Sequence, residues 1–89
     1  MKIFNLIPVD GRKSFNNKCK VIQNDNMYQL QSYDTLICEF NKDTNNIKFY
    51  DFDVDLLSNT TVRHINAFFD FCGLTTKSKK EIKTNFLNK

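Results

Sequence analysis

Several absences limit what this 89-residue chain can be: it has no Trp, two Gly, one Pro and one His. Chains that are disordered or of low complexity are usually rich in Gly, Pro or charge, and this composition is that of an ordinary globular domain. No apolar run approaches the roughly 18 residues of a membrane span. The N-terminal stretch, broken by Asn5 and Pro8, is too polar for a signal peptide. We therefore expect a soluble protein with no membrane partner.

Cysteine is also sparse, and its spacing excludes two classes of small domain. Cys19, Cys38 and Cys72 are odd in number and form no C-x-x-C pair. A disulfide scaffold needs an even count, and a structural zinc site needs closely spaced ligand pairs. We interpret the thiols as small buried hydrophobic groups and expect a reduced, cytoplasmic protein without a metal or cofactor.

Three alternating aspartates, Asp51, Asp53 and Asp55, raise the question of a calcium loop. An EF-hand starting at the first of them needs Gly at its sixth position and Glu at its twelfth. Leu56 and Val62 stand there instead. The period of two is that of a strand with one acidic, solvated face. A patch that meets a basic partner is the remaining alternative.

The apolar pattern predicts an α+β fold and a single domain over residues 1–89. Alternation in "MYQLQSYDTLICEF" and "IKFYDFDVD", with turn residues in "NDN" and "NKDTNN", is typical of an antiparallel β-meander. We expect three to four strands, packed by one main helix and followed by a short C-terminal helix.

The main helix is predicted in "NTTVRHINAFFDFCG", with Asn59 or Thr60 as its N-cap and Gly73 just after its end. Helical periodicity places five residues on one apolar face, namely Val62, Ile65, Phe68, Phe69 and Cys72. This face is expected to pack on the sheet. Ser78 and Glu81 have the spacing of a capping box at the start of the second helix.

Two stretches, "LQSYDTLICEF" and "SNTTVRHINAFF", resemble a family of small uncharacterised proteins of phages, plasmids and other mobile elements of low-GC bacteria. The shared pattern is a Ser-Tyr-x-Thr strand and a Thr-Thr-x-Arg-His-x-Asn helix start. Its residues here are Ser32, Tyr33, Thr35, Thr60, Thr61, Arg63, His64 and Asn66. The resemblance covers most of the chain, although Leu57 stands where the family often has an aromatic residue. It implies a cytoplasmic setting in a bacterial host and carries no activity.

A partner-binding face is predicted on the main helix, because folding does not need its polar side in a core. Arg63, Asn66 and Asp70 share that side, flanked by His64, with Tyr33 nearby. Arg and Tyr are frequent interface anchors. The favoured function is a non-enzymatic module that binds a host or element protein stoichiometrically. Inhibition of a host defence system such as CRISPR is one version.

Basic ends supply the alternative, a nucleic-acid-binding accessory or regulatory protein. The residues concerned are Arg12, Lys13, Lys18, Lys20, Lys77, Lys79, Lys80 and Lys83. Such clusters are more often solvated surface. An enzyme is disfavoured, because the lone His64 has no nucleophile at a recognisable spacing and no phosphate-binding loop is present. The oligomeric state stays open.

Overall fold

The β-sheet is an antiparallel meander in which each strand pairs with the next one along the chain. The computed structural model describes residues 1–7, 17–52 and 57–87. Its strands are β1 (Lys2–Asn5), β2 (Cys19–Asn24), β3 (Met27–Ser32), β4 (Thr35–Asn41) and β5 (Asn46–Phe49). The α+β class is confirmed. The described part holds five strands, more than the three to four predicted, because the alternating stretch over residues 27–41 is divided by a turn into β3 and β4.

The two faces of the sheet differ in polarity, as the alternation predicts. A row of paired residues on the helix-covered face consists of Val21, Leu30, Cys38 and Phe49. The row beside it on the open face consists of Ile22, Gln29, Glu39 and Lys48. A β-bulge between Leu30 and Gln31 adds one residue to β4, and that residue, Ile37, is also buried. The core therefore lies between the sheet and the main helix.

Helix α1 (Asn59–Phe71) starts directly after Ser58, which is the N-cap. The Ser58 side-chain oxygen accepts a hydrogen bond from the Thr61 backbone N–H at 3.1 Å. The predicted caps, Asn59 and Thr60, are wrong because both already lie inside the helix, whereas Ser58 has the extended backbone that a capping residue adopts.

The end of α1 agrees with the sequence. Gly73 has φ +80° in the left-handed region, where glycine carries no Cβ penalty. Its N–H donates to the Asp70 carbonyl at 3.1 Å, and the Leu74 N–H donates to the Phe69 carbonyl at 2.7 Å. This pair of bonds is a Schellman motif, which satisfies two of the carbonyls that a helix end leaves open.

The sheet-facing side of α1 is confirmed in its central residues. Ile65, Phe68 and Phe69 are almost wholly buried. Val62 and Cys72 are half-buried and pack against the same core. The apolar face predicted from helical periodicity is therefore the face that holds α1 on the sheet.

The C-terminal part consists of α2 (Lys79–Ile82) and a π-helical segment (Lys83–Leu87). The predicted capping box is confirmed: Ser78 Oγ accepts from the Glu81 N–H at 3.2 Å, and Glu81 Oε1 accepts from the Ser78 N–H at 3.0 Å. The Phe86 ring stacks on Phe49 of β5 at 4.8 Å between centroids. This contact places the segment at the β5 side of the sheet.

The acidic segment that begins at Asp51 does not continue the strand as the sequence predicts. β5 ends at Phe49, so Asp51 is exposed beyond the strand rather than on one of its faces. Just after the strand, the Tyr50 N–H donates to the Ile37 carbonyl, at the residue that the bulge adds. A continuous strand through Asp51 is therefore wrong, and residues 53–56 lie outside the described residues.

Candidate functional site

An unusual residue occupies the tight turn between β3 and β4. Ser32 pairs with Thr35, and Tyr33 is the first residue between them. Its φ is +55°, in the left-handed region. The Tyr33 N–H donates to the Lys18 carbonyl at 2.7 Å, and its own carbonyl accepts from Gln31 Nε2 at 2.9 Å. The turn is therefore fixed on both sides of the tyrosine.

Tyr33 stands apart from the other left-handed positions that the structure describes. These are Asn17, Asp25, Asn45 and Gly73. Gly, Asn and Asp adopt this conformation readily, whereas for a bulky side chain it costs about 1–2 kcal/mol. Residues held in such conformations cluster at functional sites. Since the tyrosine side chain is still 49% exposed, burial of the whole ring does not account for it.

Beneath Tyr33 lies a buried polar pair that joins the two sequence motifs. The Ser32 side-chain oxygen is 2.7 Å from His64 Nδ1. Their side chains are 3% and 1% exposed. The His64 ring also contacts the Tyr33 ring at 5.5 Å between centroids, with 40° between the planes. The end of β3 and the first turns of α1 are thus linked by one serine, one histidine and one tyrosine.

His64 is uncharged at neutral pH. Burial, with a smaller contribution from the nearby Arg63 guanidinium, lowers the pKa of His64 to about 4. Burial penalises the charged form of an imidazole, and a neighbouring cation does the same. A neutral imidazole has one nitrogen that donates and one that accepts, and the Ser32 hydroxyl can pair with Nδ1 in either role.

A serine hydroxyl at this distance from a histidine nitrogen is also the geometry in which histidine activates a nucleophile. Here both side chains are almost wholly inaccessible. A substrate carbonyl could reach Ser32 Oγ only if this part of the core opened. The geometry favours a structural link that holds Tyr33 over the imidazole ring, and His64 is buried rather than flanking an exposed face as the sequence predicted.

The Asn66 side chain has a structural role on the side of α1 away from His64. Its Nδ2 donates to the Lys77 carbonyl at 2.8 Å, and its Oδ1 accepts from the Lys77 N–H at 2.8 Å. One amide thus holds both backbone groups of the residue that precedes the Ser78 cap. Arg63 is half-buried and Asp70 is exposed. Of the predicted partner-binding residues, the structure brings Tyr33 and His64 into contact and gives Asn66 a separate role.

The basic segments lie at different sides of the sheet. Lys20 is on β2, and Lys18 immediately precedes that strand. Lys77, Lys79, Lys80 and Lys83 belong to the C-terminal part, which packs against β5. Three strand spacings of about 4.8 Å separate β2 from β5. Arg12 and Lys13 lie outside the described residues.

The thiols are unreactive where the structure places them. Cys19 and Cys38 are buried, and Cys72 is half-buried. Burial raises the pKa of Cys19 and of Cys72 to about 12, and raises the pKa of Cys38 strongly. Thiols in apolar surroundings stay protonated and behave as small hydrophobes. The interpretation of Cys38 and Cys72 as residues on apolar faces is confirmed.

Two residues of this site escaped the sequence analysis. Ser32 was recognised only as part of a motif, and Lys18 only as a charge. The alternation that puts Ser32 on the same face as the buried Leu30 was a usable signal for a buried hydroxyl.

Within the described residues, no three His, Cys, Asp or Glu side chains are grouped to hold a metal ion. None of the helices described could span a membrane.

Comparison with known proteins places the chain in a family without assigning a role. No curated protein and no solved structure matches the chain. One family model matches residues 1–84, which is nearly the whole chain and includes the Ser32–Tyr33 turn and α1. The chain belongs to DUF8033, a family of unknown function.

Proposed function

We propose that this protein is a small, non-enzymatic binding module that acts by stoichiometric binding to another protein, with Tyr33 at the centre of its contact surface. The observation that carries the proposal is the tyrosine in a left-handed turn position, half-exposed and resting on a buried Ser32–His64 pair. A turn that served only to reverse the chain would be better filled by Gly or Asn.

The support beneath Tyr33 suits an interface anchor. Tyrosine offers a large apolar surface with a polar tip and few rotatable bonds, and it is enriched among the residues that dominate binding energy. Here its backbone is fixed by bonds to Lys18 and Gln31, and its ring rests on His64. A side chain ordered before binding loses less entropy when the complex forms.

The other predicted residues take different parts in this proposal. His64 acts through Tyr33 and is a positioning residue. Arg63 precedes His64 in α1 and is half-buried. Asn66 holds Lys77, and Asp70 lies near the end of α1. We therefore centre the surface on Tyr33.

The setting we propose follows from the resemblance to small proteins of phages and mobile elements, and it is the cytoplasm of a bacterial host. A binding module without catalytic groups works there by occupying a surface of its target. Inhibition of a host defence system, CRISPR among them, is one version of this role.

The test uses the full chain as bait in lysate of its native host, with recovered proteins identified by mass spectrometry. We expect a protein to be recovered at a fixed ratio to the bait and to be lost with Tyr33→Ala. Asp25→Ala is the matched control, since Asp25 is also an exposed residue at a left-handed turn position. Both variants should melt near the parent temperature.

Two results would count against this function. Equal recovery of the target by the parent and by Tyr33→Ala would show that Tyr33 is not part of the contact surface. Recovery that disappears after nuclease treatment would support the alternative, a nucleic-acid-binding protein that uses its exposed lysines.

A further inference from the structure

The outer edge of β1 carries main-chain groups that point away from the sheet. Among the described strands, β1 is first in the order of the sheet and pairs with β2 alone. The Leu6 N–H donates to the Cys19 carbonyl at 2.9 Å, which fixes the pattern of main-chain bonds between the two strands. Because these bonds alternate along an antiparallel pair, the N–H and C=O groups of Ile3 and Asn5 point away from β2. Such groups on an edge strand are a template for pairing with another strand.

Exposed apolar side chains are concentrated at the same edge. In the described residues six large apolar side chains are exposed, and four of them lie on β1, beside it or against it, namely Met1, Ile3, Ile7 and Phe71. Ile3 is on the open face of the sheet, whereas the neighbouring Phe4 is on the helix-covered face, where its ring contacts Phe71 at 5.4 Å between centroids. Monomeric proteins usually expose such side chains singly, and a group of them marks an interaction site.

We propose that β1 pairs antiparallel with β1 of a second copy of this chain, so that the two sheets join into one about a two-fold axis at Phe4. This inference is independent of the proposed function. Outward-pointing groups must face each other, and the register through Phe4 puts Ile3 of each copy opposite Asn5 of the other. The same register gives every residue from Met1 to Ile7 a residue opposite it in the second copy. Because the pairing is self-complementary, it forms a closed two-fold dimer.

The two-fold register brings apolar side chains together on both faces of the joined sheet. On the helix-covered face, Phe4 of one copy lies opposite Phe4 of the other as a non-hydrogen-bonded pair, the kind in which side chains are closest. Each of these rings already contacts Phe71 of its own copy. Met1 of each copy lies opposite Ile7 of the other. One contact with a second copy therefore accounts for the exposed apolar side chains at this edge.

Charge on β1 does not oppose the pairing. Lysine on an edge strand often prevents edge-to-edge contact, and the exposed Lys2 is the charged side chain of β1. In the two-fold register Lys2 lies opposite Leu6 of the second copy, so the two lysines are four residues apart along the strands. This separation is about 13 Å at 3.3 Å per residue. It exceeds the Debye length of about 8 Å at physiological ionic strength, so their repulsion is largely screened.

The first test measures the mass of the untagged full chain by sedimentation equilibrium over a wide range of concentrations. We expect a reversible equilibrium between monomer and dimer, because the paired segment is short and interfaces below about 1,200 Å² of total buried area are often transient. A monomer at every concentration would overturn the proposal. Assemblies larger than a dimer would also overturn it, because a two-fold contact closes after two copies.

The second test places a charge on the contact. Ile3→Lys should weaken the dimer by about tenfold or more, because the Ile3 side chains of the two copies are diagonal neighbours about 7–8 Å apart on one face and like charges there repel. Leu36→Lys is the matched control, since Leu36 is also an exposed apolar residue and lies on β4, three strands from β1. It should leave the dimer unchanged. Equal weakening by both variants, or no weakening by Ile3→Lys, would overturn the proposal.

Amide hydrogen exchange of the parent chain tests the register and needs no variant, so it decides the question even if Ile3→Lys does not fold. The amides of Ile3 and Asn5 should exchange more slowly in concentrated than in dilute solution, because their outward N–H groups are bonded only in the dimer. The Phe4 amide, which points toward β2 in each copy, should change less. Concentration-dependent protection at Tyr33 and Leu36 instead would place the contact on another surface and overturn the proposal.

Discussion

Two hairpin turns of this sheet have the same length and differ in what holds them. Asn24 pairs with Met27 across the first turn, and Ser32 pairs with Thr35 across the second. In each, the first residue between the strands is left-handed, with φ +45° at Asp25 and +55° at Tyr33. Asp is a common residue at such a position and Tyr is not.

The difference shows how far each turn depends on the rest of the fold. The turn at Asp25 is favoured by local chemistry, since Asn24, Asp25 and Asn26 favour reversal in any sheet, and its outside support comes from hydrogen bonds of Asn26 to residues 42 and 43 rather than from α1. The turn at Tyr33 is supported from outside the hairpin, by the Lys18 carbonyl and by His64 of α1. A change in α1 should therefore disturb the second turn and leave the first one intact.

The largest expected effect comes from Phe69→Ala, which should destabilise both turns together. Phe69 is 1% exposed, and emptying a buried aromatic site costs about 3–5 kcal/mol. Phe71→Ala should cost less, because that ring is 40% exposed and contacts Phe4 and Tyr28 at the surface. Urea unfolding measures both. Equal midpoints for the two variants would contradict the packing of α1 described above.

Acid should reduce stability through His64. The pKa of His64 is lowered from 6.5 to about 4 in the folded protein, mainly by burial. Between pH 4 and pH 6.5 the unfolded chain binds more protons than the folded protein. The contribution of neutral His64 to the free energy of unfolding is therefore complete above pH 6.5 and is lost as the pH falls toward 4. At about 1.4 kcal/mol per pKa unit, the total loss is about 3 kcal/mol.

Because the chain has a single His, one imidazole NMR signal reports this titration directly. We expect that signal to titrate well below pH 6, and the Tyr33 amide to shift with it while the Asp25 amide does not. His64→Gln is the control, and its stability should depend less on pH in this range. A titration midpoint near 6.5 would mean that the imidazole is not buried in solution.

Ser32→Ala should have an intermediate effect that is confined to the second turn. Removing the hydroxyl breaks the hydrogen bond of 2.7 Å to His64 Nδ1, and losing a hydrogen bond of a buried polar group costs about 1–3 kcal/mol. Hydrogen exchange should become faster at Tyr33 and Thr35 than at Asp25. If both turns exchange equally fast, the Ser32–His64 bond has no particular role in holding the tyrosine.

The sequence predicted those parts of the fold that depend on local periodicity. The sheet-facing residues Ile65 and Phe68 and the terminal Gly73 followed from helical spacing, and each is where it was expected. The Ser32–His64 bond did not follow, because it joins residues 32 positions apart and depends on how the helix lies across the sheet. No local pattern encodes that crossing.

The strand that was predicted through Asp51 failed for a related reason. Alternating residues favour a strand only while a neighbouring strand is there to pair with it. β4 offers its last partner to this segment at Cys38, opposite Phe49, and the bulge at Ile37 then changes the register. The end of β5 is therefore set by β4 and not by the composition of its own segment.

The smallest expected change in stability, and the clearest test of the comparison, comes from placing glycine at each left-handed position. Asp25→Gly should lower the free energy of unfolding by about 0.5–1 kcal/mol through the greater freedom of the unfolded chain, with little strain to relieve because Asp already tolerates this conformation. Tyr33→Gly should relieve about 1–2 kcal/mol of backbone strain. It should also lose about 0.5–1.5 kcal/mol of ring contact with His64 and about 0.5–1 kcal/mol through the greater freedom of the unfolded chain. The net change should lie between a gain of about 1 kcal/mol and a loss of about 1.5 kcal/mol, as measured by urea unfolding. Binding should separate the two variants, with partner recovery lost for Tyr33→Gly and retained for Asp25→Gly. A stability loss above about 2 kcal/mol for Tyr33→Gly would instead make the tyrosine ring a structural element of the turn.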